Sequence, residues 1–234
     1  MPYRRLPNTD AARIRAMKEA LGKGKELPPF KLAYSPELFV KLQAFLPVFE
    51  HNYQLQRQSM AKQVESNKDY QEIMKKAKIY INHFMRVMNM AVQRGDLRKD
   101  TPEFFGFTNG HSAMPTLSSE NEIINWGKKL IEGEASRIRA GRNPISNPTI
   151  AIVKVHFENF MDAWMYQKTL HKRTNDYNCK IADLRREADD IIVKIWNEIE
   201  ASYSNLSEDE KRSSSEEYGL VYVFRKSELE KNEI

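Results

Sequence analysis

Residue types that carry chemistry are present in this chain, but their spacing does not form a reactive site. A di-metal carboxylate site in a helical bundle needs Glu-x-x-His pairs that face inward. The residues three positions before the five histidines are Val48, Tyr80, Thr108, Val153 and Lys168, and none of them is acidic. One cysteine and scattered histidines match no zinc-ligand spacing. We therefore assign no catalytic residue, no metal ligand and no cofactor.

Two weaker signals for chemistry have simpler interpretations. Cys179 follows His171 by eight residues on a polar stretch, and we interpret it as a cysteine packed near a helix start rather than as a nucleophile. The run Gly22-Lys23-Gly24-Lys25 follows a helical pattern instead of a strand and lacks the full phosphate-loop spacing. This run predicts the end of a helix.

An aromatic segment is the local feature that most resembles a binding patch. Phe104, Phe105 and Phe107 cluster beside Asn109 and His111, within a stretch of little periodicity over 96–118. Such a loop is long for a simple connection, so it could be a lid or could anchor a ligand or partner. The alternative, which we favour, is a loop that buries its phenylalanines, because each buried Phe contributes roughly 1.5–3 kcal/mol.

Charge is unevenly distributed along the chain. From Glu187 onwards there are 13 acids and 6 bases, a net charge of −7, whereas the preceding residues hold 19 acids and 31 bases, a net charge of +12. The basic N-terminal segment makes Arg4, Arg5, Arg13 and Arg15 candidate contacts for nucleic acid. The acidic segment could instead neutralise these residues internally, and we favour that interpretation.

The elements that would position these residues are mainly helices. Apolar residues recur every three to four positions over long stretches without glycine or proline, and this spacing predicts amphipathic helices. Ser119 followed by Glu122 predicts a capping box, and Gly127 and Gly133 are spaced to allow the close approach of a neighbour. We predict a short helix over 9–22 and three core helices over 36–94, 120–140 and 148–204. A short C-terminal helix with a strand follows over 207–225.

Two points within the long helices stay open. Pro47 is expected to kink or interrupt the helix over 36–94. The segment 148–204, with its Asn147-Pro148 start signal, contains two apolar stripes that are out of phase. Either one very long helix is overwound or a turn near 171–178 separates two helices, and we favour the turn because that stretch is polar.

Two strand-like segments complete the expected fold. Residues 30–34 alternate in polarity, and residues 220–224 are apolar and β-prone. Because a lone strand leaves its backbone groups unpaired, we expect these two segments to pair with each other. The sequence thus predicts a single all-α domain, an antiparallel bundle of about five long helices with a minor two-stranded ribbon.

Composition excludes several classes of protein. A hydrophobic content of 41% with 29% charged residues is typical of a folded globular chain rather than a disordered one. No apolar run approaches the roughly 20 residues that a membrane span needs, and the N-terminal residues lack the apolar core of a secretory signal. The lone Cys179 fits a reducing compartment, so we expect a cytoplasmic protein without a membrane partner.

Four stretches together resemble one protein family: MPYRRLPNTDAARIRAMK, NWGKKLIEGEASRIRAG, NPISNPTIAIVKV and EYGLVYVFRKSE. The chain resembles an uncharacterised family of proteins from bacteria related to Bacteroides, over nearly its whole length. The resemblance implies a bacterial, cytoplasmic protein of single-family architecture. It implies no activity and no functional residues.

Three hypotheses for function remain open. We favour a non-enzymatic interaction or assembly protein, whose helices present a surface to a protein partner or to a second copy of the chain. The second hypothesis is an accessory protein that binds nucleic acid through its basic segments. The third is an enzyme or small-ligand binder with its site near the 104–111 loop.

Overall fold

Five helices account for most of the computed structural model, which describes residues 3–107 and 114–224. Their bounds are α1 Asp10–Glu26, α2 Pro36–Arg94, α3 Glu120–Arg139, α4 Ile150–Ser202 and α5 Glu208–Glu216. Short 3₁₀ turns span Pro29–Lys31 and Thr101–Phe105, and two short strands, β1 Tyr3–Arg4 and β2 Tyr222–Val223, form one antiparallel ribbon. The predicted all-α fold with a minor two-stranded ribbon is confirmed.

The chain divides into two compact units. Unit 1 comprises residues 1–60 and 173–234, and unit 2 comprises residues 61–172. The long helices α2 and α4 each contribute residues to both units. The prediction that the whole chain forms a single domain stays a prediction.

The core of unit 1 joins sequence-distant segments. Apolar side chains of α1 and of the first part of α2 are buried with those of the last part of α4. Trp196 and Phe49 are completely or almost completely buried there, and the Tyr34 hydroxyl donates a 2.8 Å hydrogen bond to the carbonyl of Ala20. Burial of each such aromatic ring removes a large apolar area from water and stabilises the unit.

The core of unit 2 depends on two glycines of α3. A Cβ atom on Gly127 would lie 2.3 Å from the ring of Phe157 on α4, and a Cβ on Gly133 would lie 2.5 Å from the carbonyl oxygen of Phe104. Only a residue without a side chain fits at these contacts. The predicted close approach at the two glycines is confirmed, because α3 packs directly on α4 and on the 3₁₀ turn.

Local signals at helix starts are confirmed. Ser119 and Glu122 form the predicted capping box at the start of α3, and α2 begins at Pro36. The hydrogen bonds from Ser118 and Ser119 lower the pKa of the Glu122 carboxyl below its ordinary value. The Thr9 hydroxyl accepts a hydrogen bond from the backbone N–H of Ala12 and caps α1.

The helix end predicted at Gly22 and Gly24 is wrong, because α1 continues to Glu26. A Cβ atom on Gly24 would lie 2.5 Å from the ring of Phe39 on α2. This glycine therefore permits a close contact between helices instead of ending one.

The predicted partner of the C-terminal strand is also wrong. Residues 30–34 do not pair with 220–224, because Pro28 and Pro29 lead into the 3₁₀ turn over Pro29–Lys31. The partner is β1, in which Tyr3 faces Val223 and Arg4 faces Tyr222, and the backbone N–H of Arg5 donates to the carbonyl of Val221 at 2.8 Å.

The turn favoured near 171–178 is wrong as well, because α4 continues through it. The polar side chains there make interhelical hydrogen bonds in place of apolar contacts. Ser59 of α2 and Thr174 are both buried with their hydroxyl oxygens 2.8 Å apart, and Gln56 donates to Asn178 at 2.8 Å. Within residues 171–178 only Thr174 is buried and Tyr177 is half-buried, whereas the other side chains are exposed. The polar composition that suggested a loop therefore belongs mainly to an exposed helix surface, with one buried polar pair in the interface.

Two proline signals do not interrupt or begin a helix as expected, and a kink at Pro47 stays a prediction. Helix α2 continues through Pro47, which lacks an N–H to donate to the helical hydrogen bonds. At the other site, Asn147 does not cap α4, since it adopts a left-handed φ of 57° and the helix begins at Ile150. Neither proline interrupts a helix.

A buried ion pair in unit 2 was not predicted from the sequence. Arg137 and Glu134 of α3 are about 1% and 0% exposed, and Arg137 Nε donates to Glu134 Oε2 at 2.9 Å. Arg137 also donates to the carbonyl of Asn143, and Glu134 accepts from the backbone N–H of Ile145. The pair therefore fastens the segment after α3 onto that helix.

Among the helices over residues 3–107 and 114–224, none combines the length and the apolar character that crossing a membrane requires.

Candidate functional site

Unit 1 contains an open groove of about 750 Å³. Its walls come from residues 5–9 after β1, one face of α1, Trp196 of α4, the end of α5 and the segment 219–221 before β2. We call this feature the ribbon groove. Gly219, with a φ of +86°, turns the chain so closely onto α1 that a Cβ would lie 2.9 Å from Glu19 Cβ. This turn sets the width of the groove.

The structure separates the four predicted arginines into two pairs, and the first pair is neutralised inside unit 1. Arg4 donates to Glu200 and to Asn197 at 2.9 Å each, and its guanidinium lies 5.8 Å from the ring centroid of Trp196. Arg13 makes a two-pronged contact with Asp189 of α4, at 2.7 and 3.0 Å. Both side chains are mostly buried and are held by acids of the C-terminal segment.

Asp10 is the centre of this internal charge network. Its side chain is only 9% exposed and accepts two hydrogen bonds of 2.7 Å from Arg185, with Arg13 Nη1 a further 3.4 Å away. The hydrogen bonds to Asp10 raise the pKa of the Arg185 guanidinium above its ordinary value. As the first residue of α1, Asp10 also places negative charge at the positive end of the helix dipole.

The second pair of arginines lines the ribbon groove. Arg5 and Arg15 are exposed, and neither guanidinium pairs with an acid among residues 3–107 and 114–224. Two exposed carboxylates, Glu19 and Glu216, lie in the same wall without an ion-pair partner in that part of the chain. The groove thus presents charged groups that the described residues of unit 1 leave unsatisfied, which distinguishes it from the network around Asp10.

Apolar side chains lie beside these charges. Leu6 and Val221 line the groove and are 46% and 49% exposed. Arg4 and Tyr222 point the other way from the ribbon, to the carboxylate of Glu200. The alternation of a strand accounts for Arg5 and Val221, which line the groove next to the inward-facing Arg4 and Tyr222, whereas Leu6 lies beyond the end of β1.

The predicted aromatic patch is placed mainly in the core of unit 2. Phe105 and Phe107 are 1% and 7% exposed; Phe105 packs edge-on against Phe84, and Phe107 stacks on Trp126 with ring centroids 4.8 Å apart. Phe104 is half-buried against the same core. These contacts show that the phenylalanines hold the 3₁₀ turn to the unit.

The other two members of the predicted patch, Asn109 and His111, lie outside the described residues. The structure therefore places three of its five residues, all of them packed on the core of unit 2. A ligand or partner site at the 104–111 loop stays a prediction.

A second, smaller groove lies in unit 2. Tyr80 of α2 and His156 of α4 line it and stack on each other, with ring centroids 3.9 Å apart and planes 15° from parallel. Lys76, Ile79 and His83 of α2 complete one wall, and the groove encloses about 660 Å³. We call it the aromatic groove. The sequence did not indicate it, because its two rings are 76 positions apart in the chain.

Side chains that could hold a metal ion do not converge in the described part of the chain. Within residues 3–107 and 114–224, no three His, Cys, Asp or Glu side chains come together as a metal site would require. Cys179 is exposed on α4, so the interpretation of this residue as packed near a helix start is wrong.

Comparisons with known proteins add no relative from which a function could be inferred. The chain matches no protein family model, no curated protein and no solved structure.

Proposed function

We propose that this protein is a non-enzymatic interaction protein, and that a partner protein inserts an extended segment into the ribbon groove. The observation that supports the proposal is the contrast among the four arginines. Arg4 and Arg13 are satisfied by internal acids, whereas the guanidinium groups of Arg5 and Arg15 lie in an exposed groove and pair with no described acid.

The chemistry of the groove defines the partner segment. Carboxylates on the segment would pair with Arg5 and Arg15, since guanidinium groups bind carboxylates with two parallel hydrogen bonds. An apolar side chain between them would cover Leu6 and Val221, which are half-exposed to water. Buried apolar contacts surrounded by charged pairs are the usual composition of a protein interface.

The lining of the groove favours binding over catalysis. Its described residues include two arginines, two glutamates, Asn8 and Thr9, but no histidine, cysteine or serine. The one hydroxyl of that lining, on Thr9, accepts a hydrogen bond from the backbone N–H of Ala12 and caps α1, which is a structural role. An open groove also suits an extended peptide better than a small ligand, which normally loses most of its surface to an enclosing pocket.

The expected cytoplasmic location belongs with this proposal. It is supported by the single cysteine, Cys179, which is exposed and would be open to oxidation outside a reducing compartment. Fractionation of native cells with an antibody to the chain tests this location. Recovery with the membrane or secreted fraction would contradict it.

Site-specific photo-crosslinking in native cells tests the groove. A photoreactive phenylalanine analogue at Leu6 should give one discrete adduct with a partner protein, and the additional change Arg5→Glu with Arg15→Glu should abolish that adduct. The control position is Val40, which is 63% exposed on α2 in the same unit. The proposal fails if Val40 gives the same adduct or if the charge reversal leaves the Leu6 adduct unchanged.

The mass of the adduct distinguishes two kinds of partner. An adduct of this chain with a different protein supports the peptide-binding form of the proposal. An adduct of twice the mass of this chain would instead make the ribbon groove a self-association surface, which is the homo-oligomer form of the same prediction.

A further inference from the structure

Unit 2 exposes a stripe of positive charge along α2. Between residues 68 and 90, the exposed residues that share this face are Lys68, Glu72, Lys75, Lys76, Ile79, His83, Arg86 and Met90. At 3.6 residues per turn these eight positions fall within roughly a 100° sector of the helix. We call this set the α2 stripe.

The stripe is long and continuous because the opposite face of α2 is anchored in the core. Ala77, Ile81 and Phe84 are fully buried in unit 2 and fix the rotation of the helix. With a rise of 1.5 Å per residue, Lys68 and Arg86 are about 27 Å apart along the axis. The cations are therefore held in a fixed row by the packing of the helix.

The charges of the stripe are unsatisfied. Within residues 3–107 and 114–224, none of the stripe's lysines or its arginine forms an ion pair, and Glu72 is the one acid of the stripe. Some other cations of unit 2 are paired, as in the contacts of Arg94 with Asp96 and Arg142 with Asp100. Unit 2 has 17 bases and 12 acids, a net charge of +5, whereas unit 1 has 20 of each.

The aromatic groove borders this stripe. Lys76, Ile79 and His83 belong to both, so the stacked rings of Tyr80 and His156 lie directly beside the row of cations. Both rings are half-buried, which leaves part of the stack accessible. A row of cations beside accessible aromatic rings matches the two requirements of a single-stranded nucleic acid, which are phosphate neutralisation and base stacking.

We infer that the α2 stripe and the aromatic groove together bind single-stranded nucleic acid. The phosphates lie along Lys68, Lys75 and Arg86, and a base packs against the Tyr80–His156 stack with Lys76 beside it. The site is separate from the ribbon groove, so this inference does not rest on the proposed function. The inferred nucleic-acid surface belongs to unit 2 and does not include the N-terminal arginines of the earlier hypothesis. Two of those arginines, Arg4 and Arg13, are already paired with acids.

Fluorescence anisotropy of the full chain with a labelled 20-nucleotide single strand tests the inference. The double variant Lys75→Glu with Lys76→Glu should weaken binding at low salt by about tenfold or more, because two phosphate contacts become repulsive. The matched control is Lys25→Glu with Lys31→Glu, which reverses two exposed lysines of unit 1 that pair with no described acid and makes the same change in net charge. The control should change the affinity by less than about threefold.

Changes in the ligand separate base stacking from simple charge attraction. An abasic strand with the same number of phosphates should bind about fivefold or more weakly than the normal strand, because stacking on aromatic rings is lost. A duplex of the same length should also bind more weakly, since its bases are already stacked.

The inference is overturned if the wild-type chain shows no binding at low salt, or if the two charge-reversed variants lose affinity equally. It is also overturned if the abasic strand, the duplex or polyglutamate of equal charge binds as tightly as the single strand. Binding to vesicles that contain phosphatidylserine without binding to the strand would likewise overturn it and assign the stripe to a lipid surface.

Discussion

The two units of this protein differ in how their charged residues are satisfied. Unit 1 has as many acids as bases, and ion pairs such as Arg13 with Asp189 connect segments more than 170 positions apart in the sequence. Unit 2 carries the whole net charge of the chain, and its core is fastened by two glycine contacts and one buried pair. The comparison teaches that an overall pI of about 9.1 does not describe the whole molecule, because the excess charge belongs to one unit.

The buried pair of unit 2 should give the largest effect on stability. Glu134→Leu leaves the Arg137 guanidinium buried without its carboxylate, so we expect a loss of about 3–5 kcal/mol in the free energy of unfolding. Urea denaturation followed by circular dichroism measures it. The double variant Glu134→Leu with Arg137→Met should recover much of the loss, and a double variant as unstable as the single one would contradict the account.

A second test adds one methyl group to the tight contact of α3 in unit 2. Gly133→Ala places a Cβ about 2.5 Å from the carbonyl oxygen of Phe104, where backbone must move, and overpacking of this kind costs about 1–3 kcal/mol. The matched control is Gly22→Ala in α1, where no atom lies within 4 Å of the new Cβ. This control should stabilise the protein by about 0.5–1 kcal/mol. Equal effects at the two positions would refute the role of close packing at Gly133.

A substitution in the charge network of unit 1 should lower the stability of the protein by less than a substitution in the buried pair of unit 2. Asp10→Ala removes the acceptor of Arg185 and Arg13, so we expect a loss of about 1–3 kcal/mol, since each bond involves charged groups. Asp209→Ala, which breaks an ion pair with Arg212 at a 96% exposed carboxylate, should change stability by less than about 1 kcal/mol. Thermal unfolding of both variants checks the order, and a reversed order would contradict the role of Asp10.

Alkaline pH should weaken unit 1 through the buried Tyr34 and the half-buried Tyr203 and Tyr222. Burial, followed by the hydrogen bond to Glu200, raises the pKa of Tyr222 to about 12, and burial also raises the pKa of Tyr34 and Tyr203. A raised pKa in the folded state means that the protonated form is favoured on folding. The resulting stability is complete below the ordinary tyrosine pKa of about 10 and is lost as the pH rises from there to about 12.

Urea unfolding at a series of pH values, with tyrosinate absorbance in parallel, measures this loss. Tyr222→Phe should make the free energy of unfolding fall less steeply between pH 10 and 12, because the share of the loss that is due to Tyr222 is removed. Tyr166→Phe is the control, because that ring is 46% exposed on α4. A decline that is the same in both variants would show that Tyr222 does not contribute.

Local features were predictable from the sequence because each depends on a few neighbouring residues. The capping box of Ser119 and Glu122 is set by a spacing of three residues, and the glycines of α3 indicate close packing by their lack of a side chain. The turn favoured near 171–178 was wrong because a mostly exposed helix surface, with one buried polar contact between Ser59 and Thr174, has the composition of a loop. A polar helical segment and a loop can be distinguished only when the helix that packs against the segment is known.

Features that join distant segments were not predictable. Residues 30–34 and β1 are both short candidates for pairing with β2, and the choice depends on where α1 and α4 place them. The division of the N-terminal arginines likewise depends on which of them reaches an acid of α4. The aromatic groove was missed for the same reason, since Tyr80 and His156 have no relation in the sequence.

Hydrogen–deuterium exchange of the full chain, with and without a 20-nucleotide single strand, tests most directly that unit 2 carries the unsatisfied positive charge. We expect slower exchange over residues 68–90 of α2 when the strand is bound, and unchanged exchange over residues 10–26 of α1. Protection confined to α1, with none over residues 68–90, would contradict the account.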